Sequence, residues 1–221
     1  MNFYEHLKTA TEENRGYLLS APLVADCLQG RAQLKDYLAF PSQAYHHVRH
    51  TTPLLMSLGG RLPDRLAWLR PAVAEYIEEE IGHEEWILDD ITAAGGDAAA
   101  VRASRPDLPA EVMVAYAYDL IARGNPAGFF GMVFVLEGTS VALALMAADK
   151  IQHALDLPNA AFSYLRSHGT LDQQHTQHLA SLLEQMEPAD QQEVLRCAKV
   201  FYKLYGDVFR GLANTQVAAC N

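Results

Sequence analysis

AGFFGMVFVLEGTSVALALMAA, residues 127–148, is a run of twenty-two residues with a single ionisable side chain, Glu137. A segment this long and apolar is a helix, because buried strands end after about 4–8 residues, and a helix apolar all round is expected to be buried all round. Glu137 is then enclosed by protein. A carboxylate in such a place is costly unless it is protonated, paired with a basic side chain or bound to a cation. A polar residue in a transmembrane span is the remaining alternative. No second apolar span is present to shelter it, so no membrane is expected as a partner.

The rest of the composition narrows the choice. Half of the 221 residues are hydrophobic, enough for one domain, 1–221, with a sizeable core. A formal charge of −10 argues against nucleic acid and anionic membrane surfaces as partners. Cys27, Cys197 and Cys220 are scattered and form no CxxC pair, so neither a disulfide framework nor a thiolate zinc site is indicated. The N-terminus, MNFYEHLKTATEENRG, has no apolar core of a secretory signal. A reducing, cytoplasmic setting is the expectation.

Outward from the central run, apolar residues recur at helical spacing almost throughout, with no β-type alternation. The fold class is all-α, a single-domain bundle of about seven to eight helices around a buried central helix. The spacing predicts helices over Asn2–Leu19, Ala21–Leu28, Ala32–Leu58, Pro71–Ala94, Ala110–Ala122, Pro126–Leu155, Asn159–Met186 and Ala189–Leu212. Pro63–Leu69 reads as a connector and Ala98–Ser104 as one or two turns. Pro41 should kink or restart its helix, and Gly59-Gly60 should stop it. Gly169 is the weak point of the penultimate helix.

Two helices carry groups that could meet Glu137. In Glu78-Glu79-Glu80-Ile81-Gly82-His83-Glu84-Glu85-Trp86, Glu80 stands three residues and Glu79 four residues before His83, so either pair shares a helix face. A solvated acidic face that includes a histidine is the plainer reading. The penultimate helix carries His168, Asp172 and His175 within an arc of about 60°, with His178 about 60° beyond. Together these give about three carboxylates and three imidazoles. Without thiolates such a set suits iron or manganese, and so many carboxylates suggest two ions, whereas a lone zinc needs only four groups. His46, His47 and His50 face either the same cavity or solvent.

On these residues the chain resembles the haem-oxygenase-like di-iron oxidases and oxygenases, relatives of haem oxygenase, the thiaminase-type TenA proteins and pyrroloquinoline quinone synthase. The resemblance covers most of the chain, from Tyr45-His46-His47-Val48-Arg49-His50 through Glu79–Trp86 and Leu136-Glu137-Gly138 to His168-x3-Asp172-x2-His175. It implies that Glu80, or Glu79 in its place, with His83, Glu137, His168, Asp172 and His175 hold two Fe ions, with Mn as the other candidate; the three-residue spacing favours Glu80. It also implies activation of O2 to oxidise a small-molecule substrate, amino-acid- or fatty-acid-like, by hydroxylation, N-oxygenation or C–C cleavage. Haem oxygenases would place an axial histidine near Asn14 or Arg15, where none stands. A thiaminase would need a cysteine nucleophile near the carboxylate helix, and no cysteine is expected there.

The competing readings are a metal-free binding or regulatory protein, with Glu137 neutralised by His83 or His175, and a haem-binding or haem-degrading protein. Phe129, Phe130, Phe134, Trp86 and Tyr116 are the expected apolar walls, and Arg49 or Arg166 the expected partner of a substrate carboxylate. The Gly128-x2-Gly131 spacing allows close packing within one chain or in a homodimer.

Overall fold

The structure, a computed structural model, describes the backbone of residues 2–218 and the side chains of all of these except 168–174 and 213–218. Two predicted ligands, His168 and Asp172, therefore have side chains outside the described residues. The chain is all-α: α1 (Phe3–Ala10), α2 (Glu12–Leu19), α3 (Pro22–Leu28), α4 (Leu34–Val48), α5 (Thr51–Arg61), α6 (Arg70–Glu80), α7 (His83–Ala93), α8 (Ala98–Ala103), α9 (Leu108–Arg123), α10 (Phe129–Leu155), α11 (Ser163–Gln185) and α12 (Pro188–Ala218). Short 3₁₀ turns at Asp64–Leu69, Pro126–Gly128 and Asn159–Phe162 join them.

There are more helices than the periodicity predicts because three expected helices are each divided. Thr11 (φ −112°, ψ 7°) separates α1 from α2, and its buried hydroxyl donates to Leu7 O at 2.7 Å, in competition with the backbone. Pro41 sits inside α4 without ending it. The division falls instead at Arg49-His50, where the ring of Pro53 would collide with the carbonyl four residues back, that of Arg49. Gly59-Gly60 does not stop α5; Leu62 leaves the helical region at ψ 121°, as the residue before a proline does. The third division is at Ile81-Gly82, with Gly82 in the left-handed region at φ +91°.

α10 crosses the interior, against α11 and α12 and, more lightly, α3 and α9. At Gly131 a Cβ would lie 2.6 Å from Val194 O and 2.7 Å from Ala198 N, so α10 and α12 approach backbone to backbone. The small-residue face is thus used within the chain. The expectation that α10 is buried all round holds only for its first half. Phe129–Met132, Phe134 and Val135 are core residues, whereas Ala142, Met146, Asp149 and Lys150 are exposed. Past Glu137 the helix is covered by α11 on one side and borders a cavity on another, which leaves its outer stripe to solvent. By length and hydropathy Pro126–Leu155 could cross a bilayer, but its core half is enclosed by the other helices.

Candidate metal centre

The break at Gly82 places Glu80 as the last residue of α6 and His83 as the first of α7. They do not share a helix face, yet they meet across the bend, His83 Nδ1 lying 3.2 Å from Glu80 Oε2. The His83 ring is buried and lies against Trp86, with ring centroids 4.1 Å apart. On the other side of the site, His175 Nδ1 lies 3.7 Å from Glu137 Oε1 and His175 Nε2 lies 2.9 Å from Glu79 Oε2. Tyr76 packs edge-on to the His175 ring at 5.6 Å. The structure thus brings Glu80 to His83 and Glu137 to His175, and Glu80 and Glu137 border one cavity. His178 faces Glu75 at the surface, 3.9 Å away.

Donor atoms bonded to one cation at about 2.1 Å stand roughly 3 Å apart at right angles. The Glu80–His83 separation matches that spacing and the Glu137–His175 separation is slightly longer, so the donor set fits a cation chemically. Among the described residues, however, no group of three or more such side chains is already set around one point. The side chains of His168 and Asp172, which stand on the same helix as His175, lie outside that description.

Several neighbours fix these side chains. Asp90 of α7 is buried and accepts from the backbone N–H groups of Ser163 and Tyr164, both at 2.9 Å, and from the Ser163 hydroxyl. It therefore closes the N-terminus of α11 and ties that helix to the one that carries His83. Burial pushes its carboxyl above the usual range despite those hydrogen bonds. Tyr4 of α1 lies behind Glu137: burial, then the Glu137 carboxylate, push its hydroxyl up to about 12.

The cavity, of about 170 Å³, is bounded mainly by apolar side chains of α3, α4, α5, α10 and α12, with His47, Tyr76, Glu80, Glu137, Thr139 and Ser140 among its polar ones. At about 10–15 Å³ per water-sized position this is room for a small organic molecule. Of the three α4–α5 histidines only His47 borders it; His46 is bound to the Ser104 hydroxyl at 2.9 Å and His50 to the Tyr118 hydroxyl at 3.1 Å. Of the expected walls only Phe129 does. Arg49 lies against the Tyr45 ring and Arg166 is bound to Asp149 and Gln152, so neither reaches the cavity. Cys27, in contrast to the sequence expectation, does border it, but burial and the carboxylates of Asp36 and Asp26 push its thiol up to about 11, away from a nucleophilic thiolate. Asp90, Tyr4, Tyr76, Thr139 and Ser140 were not singled out by the sequence; only the hydroxyl pair beside Glu137 stood within a stretch already marked as central.

Residues 38–206 match a family model described as iron-containing redox enzyme. No protein of curated function matches. The fold is similar to that of a haem-oxygenase-like protein of unknown function from Shewanella denitrificans OS217, with TM-score 0.89 and 22% identity over 100% of this chain and 96% of that one. A TenA homologue from Pseudomonas syringae pv. tomato gives TM-score 0.78 and 8% identity over 95% and 92%. Haem oxygenase-1 from Synechocystis sp. PCC6803, solved with haem, gives 0.76 and 10% over 99% and 96%. The shared architecture is the haem-oxygenase-like fold.

Proposed function

The chain belongs to the family of iron-containing redox enzymes, and from that premise we propose that it is a non-haem di-iron oxidase or oxygenase acting on a small metabolite with dioxygen. The observation that carries this reading is the pairing of carboxylate with imidazole at two points of one site, Glu80 with His83 and Glu137 with His175. Glu80, His83, Glu137 and His175, together with His168 and Asp172, would hold the metal. Bound ferrous ions supply electrons for the reduction of dioxygen. Glu79 takes a different part from Glu80: it receives the outer nitrogen of His175 and so fixes the ring with its other nitrogen towards Glu137. Trp86 holds the His83 ring in the same way by packing. The apolar cavity beside Glu137 keeps bulk water from the substrate and orients it.

A metal-free binding protein of this fold could also pair Glu137 with His175, and one experiment separates the two readings. Metal-stripped protein is titrated anaerobically with Fe(II), desalted and analysed for metal, and its absorbance is followed on adding oxygen. About two irons per chain are expected, with an oxygen-dependent visible band. In Glu137→Gln and His175→Ala both signals fall while far-UV circular dichroism is unchanged. Iron below stoichiometric level in the native protein, or full iron retention in Glu137→Gln, contradicts the proposal.

A further inference from the structure

His178 stands off the donor stripe of α11 and has no part in the centre described above, yet it has company at the surface. Glu75 and Glu79, one turn apart on α6, meet His175 and His178, one turn apart on α11. With Tyr76 these four side chains line a depression of about 130 Å³ between the two helices. It adjoins the proposed centre, because Tyr76 also borders the cavity that Glu80 and Glu137 border. Side-chain exposure falls inward, from 62% at Glu75 and 43% at His178 and Glu79 to 9% at His175. The polar contacts follow the same direction. His178 Nε2 lies 3.9 Å from Glu75 Oε2 at the rim, His175 Nε2 lies 2.9 Å from Glu79 Oε2 below it, and His175 Nδ1 lies 3.7 Å from Glu137 Oε1 inside. A row of carboxylate and imidazole pairs thus runs from solvent to the central carboxylate. An exposed pair such as Glu75 with His178 contributes little to stability, so the fold does not depend on it.

We propose that Glu75, Glu79 and His178 form a loading site that captures hydrated ferrous iron at the surface and passes it inward past His175. This rests on the di-iron reading of the centre and adds the route by which that centre is filled. The lining supplies carboxylates and imidazoles, donors that suit a divalent first-row ion, and among the described residues no Lys or Arg borders it. A cleft lined by one sign of charge concentrates counter-ions and raises their association rate by about 10- to 1,000-fold. The formal charge of −10 on the whole chain acts in the same sense. Among the described residues the donors stand in pairs and no three are set around one point. Glu75, Glu79 and His178 are also exposed enough to turn, so a cation there keeps much of its water and is not trapped. A transfer site has to bind firmly enough to capture the ion and weakly enough to release it. Glu79 belongs to both ends of the route, since the carboxylate that borders the depression also holds His175 Nε2.

The test follows anaerobic Fe(II) uptake by the metal-stripped full chain in stopped flow. Trp86 fluorescence is the signal, because its ring lies against that of the proposed ligand His83. Final iron content is measured after desalting, and far-UV circular dichroism checks that each variant is folded. The double variant Glu75→Gln/His178→Ala is expected to fill to the native content, about two irons per chain, but at least about tenfold more slowly at low ionic strength. Added salt should slow the native protein more than the double variant. Glu75→Lys, which puts a cation at the rim, should load more slowly again. Glu111→Gln, which removes an exposed acid of α9 outside the depression, should load at the native rate. A native rate in both Glu75 variants overturns the proposal, and so does equal slowing in Glu111→Gln, which would make the effect one of net charge. Lower final iron in the double variant also overturns it, by making Glu75 or His178 a donor of the centre. A native protein that takes up no iron removes the di-iron reading and the loading site together, whereas normal native uptake with unslowed variants removes the loading site alone.

Discussion

Asp190 shows how a single buried carboxylate can be made stable by partners remote in sequence. It is fully buried in the first turn of α12 and accepts from Asn125 Nδ2 at 2.7 Å and Arg65 Nη2 at 2.9 Å, with a second contact to Arg65 Nη1. Burial acts to raise its pKa, but the hydrogen bonds of Arg65 and Asn125 and the Arg65 charge outweigh it and hold the carboxyl below the usual range. The folded pKa is thus lower than the unfolded value of about 3.9. The group therefore contributes stability that is present above the unfolded pKa and lost as pH falls through the folded one. Asp190→Asn is expected to cost about 1.5–3 kcal/mol at pH 7, and the deficit should shrink as the pH drops below about 4. Urea unfolding at both pH values checks this, and an equal deficit at both would contradict it. The sequence shows Asp190 only as an acid near a helix start. Its partners stand at 65 and 125, and no local spacing points to them. Glu137 was legible for the opposite reason: a lone charge in an apolar run is anomalous within its own helix.

At the level of elements, the Glu80-x2-His83 spacing picked out two side chains that do meet, but by a different geometry from the one it implied. Helical periodicity places the two on one face, whereas they meet across the bend that Gly82 makes between α6 and α7. Short-range propensity did not reveal that bend, because a lone glycine inside a helical pattern is usually tolerated. Two glycines then separate two kinds of constraint. At Gly82 a Cβ would meet nothing within 4 Å, so Gly82→Ala bears only the left-handed backbone at φ +91°. That costs about 1–2 kcal/mol. At Gly131 the added Cβ would strike the backbone of α12 at Val194 and Ala198, which cannot turn aside as a side chain can. Gly131→Ala is expected to lose about 1–3 kcal/mol or more through displacement of a whole helix. Equilibrium unfolding should rank Gly131→Ala below Gly82→Ala in stability. Gly82→Ala should be the variant that weakens Fe(II) binding, since the bend sets the Glu80–His83 separation. The reverse ranking, or unaltered iron affinity in Gly82→Ala, would contradict this account.

Across the whole molecule, the proposed donors lie on α6, α7, α10 and α11, at positions from 80 to 175. Among the described residues, Asp90 on α7 joins the first residues of α11 through buried hydrogen bonds of 2.9 Å. The all-α class and the central place of α10 were legible because periodicity and apolar length are local properties. The cavity was not, because the residues that border it come from α3, α4, α5, α6, α10, α11 and α12 and coincide only in space. A cation held by all four donor helices would be available to the folded chain alone, so its binding free energy adds directly to stability. At a free Fe(II) concentration one hundred times the dissociation constant the gain is about 2.7 kcal/mol, which for a chain of this size raises the thermal midpoint by roughly 5–10 °C. Anaerobic thermal unfolding across a series of Fe(II) concentrations should show a midpoint that climbs with the logarithm of metal once sites begin to fill. In Glu137→Gln the climb should begin only at much higher metal, whereas Asp190→Asn, distant from the donors, should start from a lower midpoint and climb in parallel with the native protein. A midpoint independent of Fe(II) would show that the four helices are held by protein contacts alone, with the central carboxylate neutralised by protein groups that include His175.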